Sequence, residues 1–167
     1  MRKPPPTSSL RRQATSRSGV SPLDAHLGYW LLEVSSLLSH ALGLKLAELG
    51  VTAVEWWVLR ELYEGEQTQS VLARKLGFTR GALSKLSDRL ATKHLVTQRT
   101  QSGDRRARPL ALTDLGRAMV PTLAELADEN ELEFFGGLDR NAREVLLSTL
   151  RAVVFRSRHR PRPVKAD

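Results

Sequence analysis

Residues 68–93 read TQSVLARKLGFTRGALSKLSDRLATK, and this stretch decides the fold. Thr68 supplies the side-chain oxygen of a helix N-cap, and Gly77 suits the left-handed residue that closes a short helix. Phe78 follows. Thr79 then caps a second helix, which the spacing carries to about Lys93. Ala73 is small where the two helices must approach closely. Leu72 and Leu76 can face Leu83, Leu86 and Leu90 across the turn. Two short helices joined by a glycine turn form a helix-turn-helix candidate, the alternative being an ordinary helical hairpin in a bundle. With Leu83, Leu86 and Leu90 turned inward, Thr79, Arg80, Gly81, Ser84, Lys85, Asp88 and Arg89 lie outward or at the edge. They are mostly short or basic, and Gly81 permits close approach. Such a helix fits the major groove of duplex DNA, where side chains read base edges. Plain solubility is the alternative role for Lys85 and Arg89.

Working outward toward the C-terminus, residues 95–100 are strand-like, residues 101–104 carry turn chemistry, and residues 108–112 return as a second strand. Together they predict a β-hairpin wing. Pro109 restricts its strand to a sheet edge or a strand start. Thr113 caps a helix running to about Phe135, with Leu115, Met119, Leu123 and Leu126 as its apolar stripe and Pro121 as an expected kink. Gly136 and Gly137 break the chain. Asp139 caps a last helix with Ala142, Val145, Leu146, Thr149, Leu150 and Val153 on one face.

Toward the N-terminus, Thr52 and Glu55 fit a capping box for a helix over residues 52–64, with Val54, Trp57, Val58 and Leu62 as its apolar face. Before it, Leu23, Leu27, Trp30, Val34, Leu37, Ala41 and Leu44 form a heptad-like seam on a helix over about residues 23–49, closed by Gly50. Leu31, Leu38, Leu42, Leu46 and Leu49 add a second face. One face can serve the core and the other a partner helix. Residues 1–22 and 156–167 are rich in basic residues and proline or serine, and read as disordered arms.

Charge is distributed unevenly. The 167 residues carry a net charge of +8, but residues 23–155 are close to neutral. Within that body, residues 74–108 hold ten basic and two acidic residues, and the flanking segments 23–73 and 109–155 are acidic. A positive block inside an acidic frame is the footprint of a protein that presents one face to a polyanion.

At this point the run from Val71 to Gly116 resembles the MarR family of winged helix-turn-helix regulators. The wing signature is carried by Asp104, Arg106, Leu112, Thr113 and Gly116, with Leu90, Leu95, Val96 and Arg99 before it. The order of elements extends the resemblance over residues 23–155. It implies a mainly α fold with a small β-hairpin wing, a DNA-binding lobe over about residues 52–113, and a dimerisation lobe of long helices over about 23–49 and 114–155. It also implies an obligate homodimer, which the heptad seam suits independently, a pseudo-palindromic site on double-stranded DNA, and release by a small aromatic or acidic effector. By the same resemblance, Arg106 enters the minor groove and Asp104 braces it. Arg105 and Arg108 would add phosphate contacts, and Arg99 belongs to the same DNA-binding wing. The groove's negative potential and the fork geometry of an Asp–Arg pair agree with that reading; a solvated turn is the alternative. Tyr29, Trp30, Trp56 and Arg60 are candidates for an effector pocket, with core packing for the aromatics and a surface charge for Arg60 as the alternatives.

Several classes are not supported. The chain has no cysteine, so disulfides, thiolate chemistry and cysteine-based metal sites are excluded. His26 and His40 are too far apart on one helix to share a metal ion. No phosphate-binding loop, zinc-protease or serine-hydrolase motif is present, so no catalytic residue and no cofactor is expected. No membrane partner is expected either, and the reading is a soluble cytoplasmic protein. The leading function is a sequence-specific dimeric regulator of transcription, most simply a repressor. An architectural DNA binder with low sequence preference and a winged-helix protein-interaction module are the other readings.

Overall fold

The computed structural model describes residues 19–98 and 109–158. By internal contacts the chain divides into two units, Met1–Leu37 and Leu38–Asp167. In the first, a 3-10 turn at Leu23–Ala25 precedes helix α1, Leu27–Ala47, which continues into the second. His26 separates turn from helix in extended backbone (φ −99°, ψ 120°), so the continuous helix expected from Leu23 begins at Leu27 instead. Leu27, Trp30, Val34 and Leu37 are exposed. Trp30 donates its indole N–H to Asp24 O at 2.8 Å and packs edge-on against Tyr29.

The second unit holds the core. Its elements are α2 (Ala53–Tyr63), β1 (Gln67–Thr68), α3 (Gln69–Leu76), α4 (Arg80–Thr92), β2 (Val96–Gln98), β3 (Pro109–Leu112), α5 (Asp114–Phe135) and α6 (Arg140–Arg158). Leu46 and Val51 begin the core, Trp56, Val58, Leu59 and Leu62 of α2 fill its centre, and Leu72, Leu83, Leu90, Leu110 and Leu123 close round them. From α1, Leu46 is buried and Leu42 packs against the core, whereas Leu44 on the seam is exposed. The second apolar face of that helix is thus the inward one along this stretch.

Two expectations shift phase. The buried face of α2 is Glu55, Trp56, Val58, Leu59 and Leu62, while Val54 and Trp57, expected inward, are partly exposed. Glu55, turned back to Thr52 in the capping box, takes a buried position at the helix start, while Thr52 itself stays exposed. Leu115 is exposed as well, because Gly116 takes the inward position. A Cβ at Gly116 would collide with the Leu95 carbonyl, so α5 begins pressed on the backbone that follows α4. Met119, Leu123 and Leu126 do pack on the core.

The wing strands belong to a three-stranded antiparallel sheet of order β1-β3-β2, where a hairpin alone was expected. Strand β1 pairs Gln67 with Leu110 and Thr68 with Pro109; β2 pairs Val96 with Leu112 and Gln98 with Leu110. Pro109 therefore stands at the start of the central strand, not on an edge. Helix α5 continues through Pro121, and α6 is helical to Arg158, three residues into the stretch expected as a tail. Among the described residues, no helix is long and apolar enough to cross a membrane, and no group of three or more acidic or histidine side chains is placed to hold a metal ion.

Candidate nucleic-acid interface

The helix-turn-helix is built by local chemistry. Thr68 accepts a hydrogen bond from Val71 N at 3.4 Å and starts α3. Gly77 closes it with φ 75°, a conformation that costs glycine little. Thr79 accepts from Ala82 N at 3.1 Å and starts α4. Leu83, Leu86 and Leu90 are buried, and so is Ser87, whose hydroxyl donates to Leu83 O at 2.8 Å. This buried stripe fixes the rotation of α4. Arg80, Gly81, Lys85, Asp88 and Arg89 are exposed, Thr79 is exposed at the cap, and Ser84 is half-buried at the margin.

At about 100° per residue, the line opposite the buried stripe runs through Gly81, Lys85, Asp88 and Thr92. Thr92, in the last turn of α4, is not among the residues singled out from the sequence. Its hydroxyl donates to Asp88 O at 3.0 Å. A Cβ at Gly81 would meet nothing within 4 Å, so the fold gives no reason for a glycine there. Arg89 sits on the flank of this line. Its Nε lies 3.9 Å from Glu55 Oε1, so its acidic neighbour is on α2 rather than Asp88 on its own helix.

Behind that flank is an ion pair that sequence reading missed. Glu55 is only 1% exposed. The Lys93 ammonium donates to Glu55 Oε1 at 2.8 Å and Oε2 at 2.7 Å. Thr52 N also donates to Oε2, at 2.8 Å. Burial alone pushes the Glu55 carboxyl up, but the bonds from Lys93 and Thr52 outweigh it and hold the carboxyl below its usual value. Nearer the turn, Lys75 Nζ donates to Glu61 Oε2 at 2.9 Å, and this bond holds the Glu61 carboxyl below its usual value. The capping-box spacing announced Thr52 and Glu55, but nothing local announces a partner 38 residues away.

Helix α4 ends in a Schellman turn. Lys93 is the C-cap, His94 takes the left-handed position at φ 57°, its N–H donates to Ala91 O at 2.9 Å, and Leu95 N donates to Leu90 O at 3.0 Å. Thr113 then ties α5 to this end. Its hydroxyl donates to His94 O at 2.6 Å and accepts from Gly116 N at 3.0 Å. The Leu112, Thr113 and Gly116 signature is therefore a joint between α4, β3 and α5. Arg99, Asp104, Arg105, Arg106 and Arg108 lie outside the described residues.

Of the candidate effector residues, Trp56 and Arg60 lie in the second unit. Trp56 is a core residue, 7% exposed. Arg60 is exposed and donates to Glu64 Oε1 at 2.6 Å, which occupies the charge a carboxylate ligand would seek. Tyr29 and Trp30 belong to the other unit. On α2 the exposed aromatics are Trp57 and Tyr63, and Trp57 stacks on Phe78 with ring centroids 6.4 Å apart.

A capped helix pair with a short and basic outer face, closed by a three-stranded sheet, defines a winged helix-turn-helix protein. Residues 49–107 match the model of the MarR family. Over that segment the chain is similar to the MarR family. Solved structures repeat the fold over more of its length. CouR from Rhodococcus jostii RHA1, bound to p-coumaroyl-CoA, is 21% identical, with a TM-score of 0.74 over 89% of this chain and 100% of its own. MepR from S. aureus, in complex with DNA, is 23% identical, with a TM-score of 0.73 over 77% of this chain and 96% of its own. A mutant MarR from E. coli complexed with operator DNA is 26% identical, with a TM-score of 0.71 over 76% of this chain and 92% of its own.

Proposed function

We propose that this protein is a dimeric, sequence-specific DNA-binding regulator of transcription, acting as a repressor that a small effector releases. The observation that carries the reading is the outer face of α4. Gly81, Ser84, Lys85 and Asp88 stand on a helix whose rotation is set by Leu83, Leu86 and Leu90, and Gly81 is bare where the fold does not require it. That face suits entry into a major groove, with Arg80 and Lys85 available to phosphates or guanine edges. Arg106, braced by Asp104, is proposed for the adjacent minor groove. Two similar folds, MepR and MarR, were solved with DNA, and this supports the assignment.

The homodimer is supported by two apolar faces exposed within one chain, the α1 seam and the face of α6 carrying Val145 and Val153. The effector is supported by CouR, solved with p-coumaroyl-CoA, an aromatic acyl thioester. Repression is the simplest mode for such a protein, since an operator-bound dimer blocks polymerase without further parts. A non-enzymatic, cytoplasmic role accompanies this reading.

The test is selection of bound fragments from random duplex DNA with the purified protein. A pseudo-palindromic consensus is expected, bound at least 10³-fold more tightly than scrambled DNA. Selection without a consensus would favour the architectural reading, for which the five basic and no acidic residues of positions 1–22 speak.

A further inference from the structure

The Lys93 ammonium has three donors, and all three are used. Two go to Glu55, and the third goes to Gly50 O at 2.8 Å. Gly50 is the left-handed residue, φ 68°, that ends α1: its N–H donates to Ala47 O at 2.9 Å, and Val51 N donates to Leu46 O at 3.1 Å. Glu55 is locked in the first turn of α2 by its capping box with Thr52. One ammonium therefore gathers the end of α1, the start of α2 and the end of α4. One turn back on α4, Arg89 is drawn to the same carboxylate at 3.9 Å.

This is no ordinary surface pair. A solvated pair contributes little, because water competes for both charges. Here the carboxylate is sealed from water, and loss of its cation would leave a buried charge unmatched. The leucine stripe of α4 settles rotation about its axis, but apolar contacts are non-directional and tolerate sliding. The directional constraint at its C-terminal end comes from Lys93 and the Schellman turn.

We propose that Glu55 is a positioning residue for DNA recognition: through Lys93 it fixes the C-terminal end of α4 against the α1–α2 corner, and it holds Arg89 on the flank of the reading face. The proposal rests on the reading of α4 as the recognition helix. Its signature is a separation of affinity from discrimination. Removing the Glu55 charge leaves Lys93 and Arg89 uncompensated behind a DNA-facing helix. Simple electrostatics then tightens binding to any duplex. A helix end that is no longer fixed presents Lys85 and Asp88 to bases with less definition, and discrimination falls.

The experiment compares full-length wild type, Glu55→Gln and Thr52→Val. Thr52→Val removes the cap hydroxyl at the same corner but leaves the Glu55–Lys93 pair. Each is titrated at fixed salt against a duplex that the wild type enriches from random DNA and against its scrambled counterpart. Glu55→Gln is expected to bind the scrambled duplex at least as tightly as wild type and to lose about tenfold in the selected-to-scrambled ratio, the discrimination supplied by one good base contact. Thr52→Val is expected to keep the ratio within about twofold. A folded Glu55→Gln with the wild-type ratio overturns the proposal, as does an equal loss in Thr52→Val, which would make the corner merely structural. If Glu55→Gln does not fold, the neutral pair Glu55→Gln/Lys93→Met takes its place, with the same loss expected and the same retention overturning the idea. A wild type that enriches no sequence overturns the recognition reading and this proposal with it, an outcome distinct from an unchanged ratio.

Discussion

Helices α4 and α6 carry similar amphipathic patterns and meet opposite fates. On α4, Leu83, Leu86 and Leu90 are all buried by their own chain. On α6, Val145, Leu146, Val153 and Val154 remain exposed, and Phe155 is 64% exposed at its end. Apolar surface left in water on this scale is unfavourable, and contiguous patches of it mark contact sites. The difference teaches that periodicity announces a face to be covered without saying by what. Helix α4 is covered from within, so its other face is free for a ligand. Helix α6 keeps its apolar face exposed among the described residues.

Five measurements can break or sharpen that contrast. The largest effect is expected for Leu83→Ala, which empties a fully buried position and should cost about 2–5 kcal/mol in urea denaturation. A loss under about 1 kcal/mol would mean that α4 is less firmly held than its burial indicates. Next comes Glu55→Gln, which leaves Lys93 short of its charge partner and should cost about 1–3 kcal/mol. The pH dependence follows from the same group. The Glu55 and Glu61 carboxyls are held below their usual values when folded. Their stabilisation is thus complete above the unfolded carboxylate value of about 4.3 and is lost as pH falls through the lower folded values. Thermal midpoints should hold from neutrality to about pH 5 and fall below it, less steeply in Glu55→Gln. A steeper fall in the variant would contradict the assignment.

A smaller and opposite effect is expected at the end of α4. His94 adopts a left-handed conformation that disfavours side chains by about 1–2 kcal/mol, while glycine costs about 0.5–1 kcal/mol more backbone entropy. His94→Gly should therefore stabilise by up to about 1 kcal/mol, and a destabilised variant would show that the imidazole makes a compensating contact. The smallest effect on the single chain is expected on α6. Val145→Ser with Val153→Ser should change dilute stability by no more than about 0.5 kcal/mol per site. The same pair should abolish a rise of the wild-type thermal midpoint with protein concentration, the mass-action sign of a second copy covering that face. A wild-type midpoint independent of concentration would leave α6 without the partner proposed for it.

The parts legible in the sequence were those written in local chemistry. Thr68, Gly77, Thr79, Thr113 and Asp139 each mark an element end through a side chain or a φ angle that acts within a few residues. The leucine spacing of α4 gave its outer face directly. What escaped depended on distant partners. Strand β1 has two residues and exists only because β3 lies beside it. Glu55 looked like a cap because its bond to Thr52 is local, whereas its bond to Lys93 is not. Leu115 was misplaced because the backbone contact between Gly116 and Leu95, not hydrophobicity, sets the phase of α5. The break at His26 carries no glycine or proline of its own to announce it.

The β1–β3 pairing has a further consequence, for the order in which this unit assembles. Gln67 meets Leu110, so the pairing joins positions 43 residues apart in sequence, with the whole helix pair and β2 between them along the chain. The α3–α4 and β2–β3 contacts close short stretches of chain, whereas β1 must await the return of β3, and closing the longer loop costs more entropy. The helix pair should therefore form early and β1 should dock late. In pulsed hydrogen exchange during refolding, protection at Leu83 and Leu86 is expected to precede protection at Thr68. Simultaneous protection would instead make the sheet part of the folding nucleus. The seam beside α3 would then open only when the whole domain unfolds.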